Sequence, residues 1–110
     1  MIVINQNPQI VQGLKAMGVF TPPAGEIYLT PDGWHYVSIA TVNGVRSLWI
    51  IYSSSQDSRA DIQIAIQVAK ASGATRLLAE VPPARIPFYT RLGFTQPADF
   101  GHGVLEYLIT

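Results

Sequence analysis

The sequence contains no cysteine. That excludes a disulfide framework, thiolate metal sites and a cysteine nucleophile. Charge is also scarce. Only 13% of residues are Asp, Glu, Lys or Arg, and the 7 acids balance the 7 bases. No basic excess advertises nucleic acid and no acidic excess advertises a basic partner. No apolar run is long enough to span a bilayer, so no membrane partner is expected. The opening "MIVINQNPQIV" lacks the basic flank and apolar run of a signal peptide, which makes a cytoplasmic location the expectation. The two histidines, His35 and His102, stand at unrelated places and make no metal site. One absence is internal: no glycine occurs between Gly44 and Gly73.

What remains is a chain of 110 residues, 48% of them hydrophobic. That is enough to bury one core but not two, so residues 1–110 are read as a single domain. The low charge also suggests that some surface is covered, and a homodimer is the simplest cover.

Hydrophobic periodicity divides the chain into elements. "MIVI" reads as a short strand. "NPQIVQGLKAMG" reads as a helix capped by Asn7, opened by Pro8 and stopped by Gly18, with Ile10, Val11, Leu14 and Met17 on one stripe. "EIYLT", "WHYVSIAT" and "RSLWIIYSS" read as an antiparallel meander, with Asn43-Gly44 as the strongest hairpin signal. In the last of these, Leu48, Ile50 and Tyr52 are expected on one face, Trp49 and Ile51 on the other. The period then becomes helical through Ile62, Ala65, Ile66 and Ala69, up to Ser72-Gly73. "TRLLAEV" is a buried strand, and the crossover makes it parallel to "LWIIYSS". A short helix in "PFYTRL" and one or two closing strands in "GFTQ" and "GVLEYLIT" complete the chain. The fold class is α/β: a mixed sheet with helices on both faces.

Ligands in such sheets bind at the carboxyl ends of parallel strands. Those ends are Ser53-Ser54-Ser55 and Glu80-Val81. The crossover helix starts beside the first, and its free N–H groups are a potential anion site. Tyr89 follows the second, so pattern alone gathers Tyr89, Glu80 and the serines.

"PPARIPFYTRLGF" resembles the tyrosine-bearing segment of the GNAT superfamily of N-acetyltransferases, and the order of elements is similar over nearly the whole chain. One of the two N-terminal helices of that family is absent. The resemblance implies transfer of an acetyl group from acetyl-CoA to a primary amine, a small molecule or a peptide amine. It implies that the backbone of Ile51, Tyr52 and Ser53 holds the pantetheine arm and the thioester oxygen. Ser54, Ser55 and Arg59 would face the pyrophosphate. Tyr89 would protonate the leaving thiolate. Glu80, by its place at the end of a strand in the same neighbourhood, is a candidate base for the amine proton, directly or through water. No metal is implied.

The chain departs from the family at its Gly-rich loop. Gln56-Asp57-Ser58-Arg59-Ala60-Asp61 puts Arg59 and Asp61 where glycines let the backbone approach a pyrophosphate. Ser58 with Asp61 resembles a capping box instead. Asp57 and Asp61 would satisfy the positive end of the helix and repel an anion. A second reading follows: a GNAT-like binding or assembly module that has lost coenzyme binding. Other residues also have plain structural readings. Tyr89 serves equally as a core aromatic, and Glu80 as a partner of Arg76 or Arg85. Trp34, Tyr36, Trp49 and Tyr52 suggest an aromatic face. His35 reads as a satisfied sheet residue. His102, in "DFGHG", reads as a weak candidate base.

Overall fold

The first helix starts where its cap residues say it should. Asn7 has an extended backbone, and its side chain accepts hydrogen bonds from the N–H groups of Gln9 and Ile10. Pro8 follows at the first helical position, where a missing N–H leaves no bond unmade. Helix α1 spans Pro8–Ala16, and Gly18 ends it at φ +81°. The computed structural model describes residues 4–5, 7–22, 25–30, 33–54, 58–101 and 103–109. Ile10, Val11 and Leu14 pack on the sheet. Met17 does not join them and is 63% exposed. The helix ends at Ala16, so the helical period no longer places the residue after it.

The sheet has six strands in chain order: β1 Ile4–Asn5, β2 Glu26–Thr30, β3 Gly33–Val42, β4 Val45–Ser53, β5 Arg76–Glu80 and β6 Val104–Leu108. Strands β2, β3 and β4 form the expected antiparallel meander. Asn43 and Gly44 both take positive φ, +50° and +80°, which a tight hairpin of this hand requires. Helix α2, Arg59–Ala71, carries the chain over to β5, and β4 and β5 are parallel. The mixed α/β sheet expected from the periodicity is therefore the one observed. "GFTQ" supplies a single bridge, Thr95 to Glu106, rather than a strand.

Two layers cover the sheet. Leu48, Ile50, Leu77 and Ala79 face α2, where Ile62, Ala65 and Ala69 are buried against them. On the other face Leu14 of α1 packs with Ile27 and Tyr36. The register of β3 on β4 shifts between Tyr36 and Val37, so that Tyr36 pairs with Tyr52 and Val37 with Ile50. Ile51 is the extra residue of a β-bulge. The bulge corrects the expected alternation: Tyr52 packs with Tyr36 on the α1 side, not with Leu48 and Ile50. A two-residue period cannot survive an inserted residue.

After β5, a 3₁₀ turn at Pro83–Arg85 leads into helix α3, Ile86–Arg91. Its aromatic density is packing. The Tyr89 ring meets Phe94 edge-on at 5.2 Å and Phe88 at 5.8 Å, and Phe94 leans on Tyr107. Gly93 closes the helix at φ +108°. The N–H of Phe94 then returns to the Tyr89 carbonyl.

Candidate active site

The parallel pairing of β4 with β5 runs from Ser47↔Arg76 to Ile50↔Ala79 and stops there. Strand β4 continues to Ser53, while Val81 turns to β6, its N–H donating to the Gly103 carbonyl. The two strands thus part beyond Ile50. The backbone of Ile51, Tyr52 and Ser53 has no ladder partner on its β5 side. The bulge lies at the same place and adds to the splay.

Two cavities meet at this fork, and Ile51 and Glu80 line both. One, of about 710 Å³, is walled by Val81, Pro82, Pro83 and Ile86. The other, of about 480 Å³, lies over the sheet face carrying Trp49 and Ile51. Val19 and Phe20 border it, and Ser38, Ala40 and Val42 of β3 form its floor.

Glu80 ends β5 exposed at the fork. Neither arginine expected to pair with it does so. Arg76 is 4% exposed and fully committed elsewhere. Its Nη1 and Nη2 both donate to Asp99, at 3.0 and 2.9 Å. Nη1 also reaches Glu106, Nη2 the Val42 carbonyl and Nε the Ser47 hydroxyl. Arg85 stacks over the rings of Phe88 and Tyr89. Strand alternation puts Arg76 and Glu80 on one face, but the carboxylates of Asp99 and Glu106 come to Arg76 from a loop and from β6.

The Arg76 guanidinium beside Asp99, helped by the Asn43 amide, holds the Asp99 carboxyl well below the usual carboxylate range. A carboxylate depressed in the folded state stabilises the fold above its unfolded pKa, near about 4. That contribution is lost as pH falls through the folded value. Urea midpoints should therefore drop on acidification from about pH 5 to about pH 2 by less in Asp99→Asn than in the native chain. Equal losses in both would show that this pair does not link stability to pH.

The start of α2 differs from the expected anion site. Ser58 caps the helix, its hydroxyl accepting from the Asp61 N–H at 3.2 Å. Asp61, however, is completely buried rather than facing solvent at the helix end. Its carboxylate lies 4.0 Å from Nε2 of His35, also fully buried, whose Nδ1 is hydrogen-bonded to the Tyr28 hydroxyl at 3.0 Å. Asp61 thus ties the helix start to the sheet instead of lining the surface. The reason is helical geometry: Asp61 precedes Ile62 on the inward face, over His35. Arg59 stands exposed at the first helical position.

The remaining candidates are distributed as follows. Ser53 Oγ is buried and makes no hydrogen bond to a described residue. Ser54 is tied to β3, its hydroxyl accepting from the Trp34 N–H. Ser55, Asp57 and His102 lie outside the described residues. Tyr89 is 6% exposed and lines neither cavity at the fork. The aromatic face divides: Trp34 is 5.8 Å from Tyr52, with Tyr36 in the same cluster, while Trp49 meets Phe100. Among the described residues, no three His, Asp or Glu side chains gather to hold a metal ion, and no helix is long and apolar enough to cross a membrane. The sequence reading missed Val19, Phe20 and the β3 floor. Its available signal was the small pair Ser38 and Ala40, which leaves room above the sheet.

No protein-family model matches the chain, and no curated protein matches it in sequence. Solved structures do match in shape. A GNAT family N-acetyltransferase, YhbS from Escherichia coli in complex with CoA, is similar over 100% of this chain and 81% of its own, with a TM-score of 0.59 at 12% identity. The chain has the GNAT acyltransferase fold. FeeM, an N-acyl amino acid synthase from uncultured soil microbes, shares that fold over 99% of this chain and 90% of its own, with a TM-score of 0.64 and 12% identity. Tetrahymena GCN5 does so over 100% and 96%, with a TM-score of 0.63 and 12% identity. The fold expected from the tyrosine segment and the order of elements is borne out.

Proposed function

We propose that this chain is a divergent GNAT member that transfers an acyl group from a coenzyme A thioester, acetyl-CoA in the first instance, to a primary amine. The observation that carries the reading is the fork: β4 leaves β5 after Ile50, and the backbone of Ile51 to Ser53 is open at the mouth of two cavities. That edge suits the pantetheine arm, whose amides need backbone partners. The pyrophosphate end is less well served. The Asp61 N–H is already taken by Ser58 and the Ser54 hydroxyl by Trp34, so Arg59 and the other N–H groups of the first helical turn remain for it.

The donor supplies an activated acyl carbon. An N–H of Ile51 to Ser53 holds the carbonyl oxygen as it gains charge. Glu80 takes a proton from the incoming amine, directly or through water. A C–N bond forms, the C–S bond breaks, and the thiolate takes a proton from the Tyr89 hydroxyl, which must open from its buried place beside the fork to reach the sulfur. A phenol of pKa about 10 protonates a thiolate of conjugate pKa about 8.5 only at close range, which suits a dry cleft. The homodimer belongs to the same reading: β6 lies at the sheet edge with Leu108 62% exposed.

Calorimetric titration of acetyl-CoA, desulfo-CoA and pantetheine tests the reading. Saturable binding of the coenzyme, weaker for pantetheine alone, is expected. Tyr89→Phe should then lower turnover about 10²-fold or more while coenzyme binding persists. Unchanged turnover would return Tyr89 to the core. No coenzyme binding at millimolar concentration would leave the non-catalytic module as the reading.

A further inference from the structure

The cavity of about 480 Å³ above the β3–β4 face is of a size for a small organic ligand. Its walls are nearly all apolar: Val19 and Phe20 at the rim, Ala40, Val42, Trp49 and Ile51 below. Phe20 is 74% exposed, an aromatic held at the rim without cover. Helix α1 covers only the part of this face around Ile27, Tyr36 and Tyr52. No described helix packs over Ser38, Ala40 and Val42.

Among the described residues that line this apolar space, Glu80 alone carries a charge. No arginine among the described residues pairs with it. Arg76, on the same strand and the same face, is held by Asp99 and Glu106. Arg85 is turned to Phe88 and Tyr89. A carboxylate beside an apolar wall attracts a ligand cation, and the apolar wall takes up the rest of the ligand. The complementary ligand has an apolar, preferably aromatic, body and a single ammonium group at one end.

We propose that this cavity is the acceptor site and that it selects hydrophobic primary amines of the arylalkyl type, with the ammonium on Glu80 and the ring against Trp49 and Ile51. The inference rests on the acyl-transfer reading of the same fork, since Glu80 also reaches the place where the donor would lie. Hydrophilic amines would leave the apolar walls wet, and polyamines would find no second carboxylate among the described residues that line the cavity.

The test needs no acyl donor. Phenethylamine, 2-phenylethanol and ethanolamine are titrated into the full chain, followed by calorimetry and by tryptophan fluorescence. Phenethylamine should bind at least about tenfold tighter than either analogue, one lacking the charge and the other the ring. Glu80→Gln should remove most of the advantage over 2-phenylethanol and leave the alcohol's affinity unchanged. Ala40→Trp, which fills the floor at an exposed strand position, should abolish both, with circular dichroism checking that it folds. Equal affinity for phenethylamine and ethanolamine, or no effect of Glu80→Gln, would overturn the proposal. So would a stable dimer in which Trp49 is shielded from quencher, because the face would then belong to a second copy. Amine binding without coenzyme binding would sink acyl transfer and leave the amine site standing. Coenzyme binding without amine selectivity would sink the amine site alone.

Discussion

Replacing Gly93 with alanine should cost about 3 kcal/mol and lower the melting temperature by roughly 10–15 °C. Two effects add. The backbone at Gly93 has φ +108°, where any residue with a Cβ is strained by about 1–3 kcal/mol. A Cβ built there also lies 2.8 Å from Cε2 and 3.3 Å from Cδ2 of Tyr107. That ring is wedged against Phe94, so moving it disturbs the contact of Phe94 with Tyr89. Overpacking of this kind adds about 1–3 kcal/mol. Gly101→Ala is the control. A Cβ there meets nothing within 4 Å, and its effect should stay within about 0.5 kcal/mol. Thermal melts of the two variants beside the native chain decide the matter. Equal melting temperatures would mean that α3 can end in another way and that the aromatic cluster does not depend on the turn.

Arg76→Met should destabilise the fold by about 2–4 kcal/mol at neutral pH, measured by urea unfolding. Methionine keeps much of the apolar stem, so the loss reads the guanidinium. Five hydrogen bonds disappear together, to Asp99 (two), Glu106, Ser47 and the Val42 carbonyl. The carboxylates of Asp99 and Glu106 are then left facing each other with no cation between them. Because both are partly exposed, at 32% and 14%, water recovers some of the loss. The cost therefore falls below that of a fully buried pair. The double variant Arg76→Met with Asp99→Asn should lose less than the sum of the two single changes. Strict additivity would show that the pair contributes no coupling and that Arg76 acts through its other partners. The function expected of Arg76 also changes. It holds the loop around Asp99 and Phe100 against the sheet, its guanidinium 5.8 Å above the Phe100 ring. In doing so it does not pair with Glu80.

The local elements were legible in the sequence because their causes are local. Asn7 and Pro8 start α1 with their own atoms. Asn43-Gly44 turns the hairpin by tolerating positive φ. Ser58 caps α2 through the neighbouring Asp61 N–H. The change of period from two to 3.6 between β4 and α2 placed the crossover, and the crossover made β4 and β5 parallel. From that followed where the two parallel strands must end.

Tertiary structure alone decided the partners. Arg76 could have met Glu80 by strand spacing, yet Asp99 and Glu106, 23 and 30 residues away, reach it first. Asp61 stands where a glycine was expected and reads as a solvent-facing helix charge. The sheet buries it beside His35, 26 residues earlier in the chain. Tyr52 changes face because one extra residue enters β4 opposite Tyr36 and Val37, a shift that no periodicity can announce. The cavity over Ser38, Ala40 and Trp49 exists because α1 is short and lies over the other end of the face. Sequence by itself determined the elements, their order and the end of the sheet where a site can open. Which side chains fill, seal or charge that opening was settled only by contacts between residues distant in the chain, since burial and ion pairing are properties of neighbours in space.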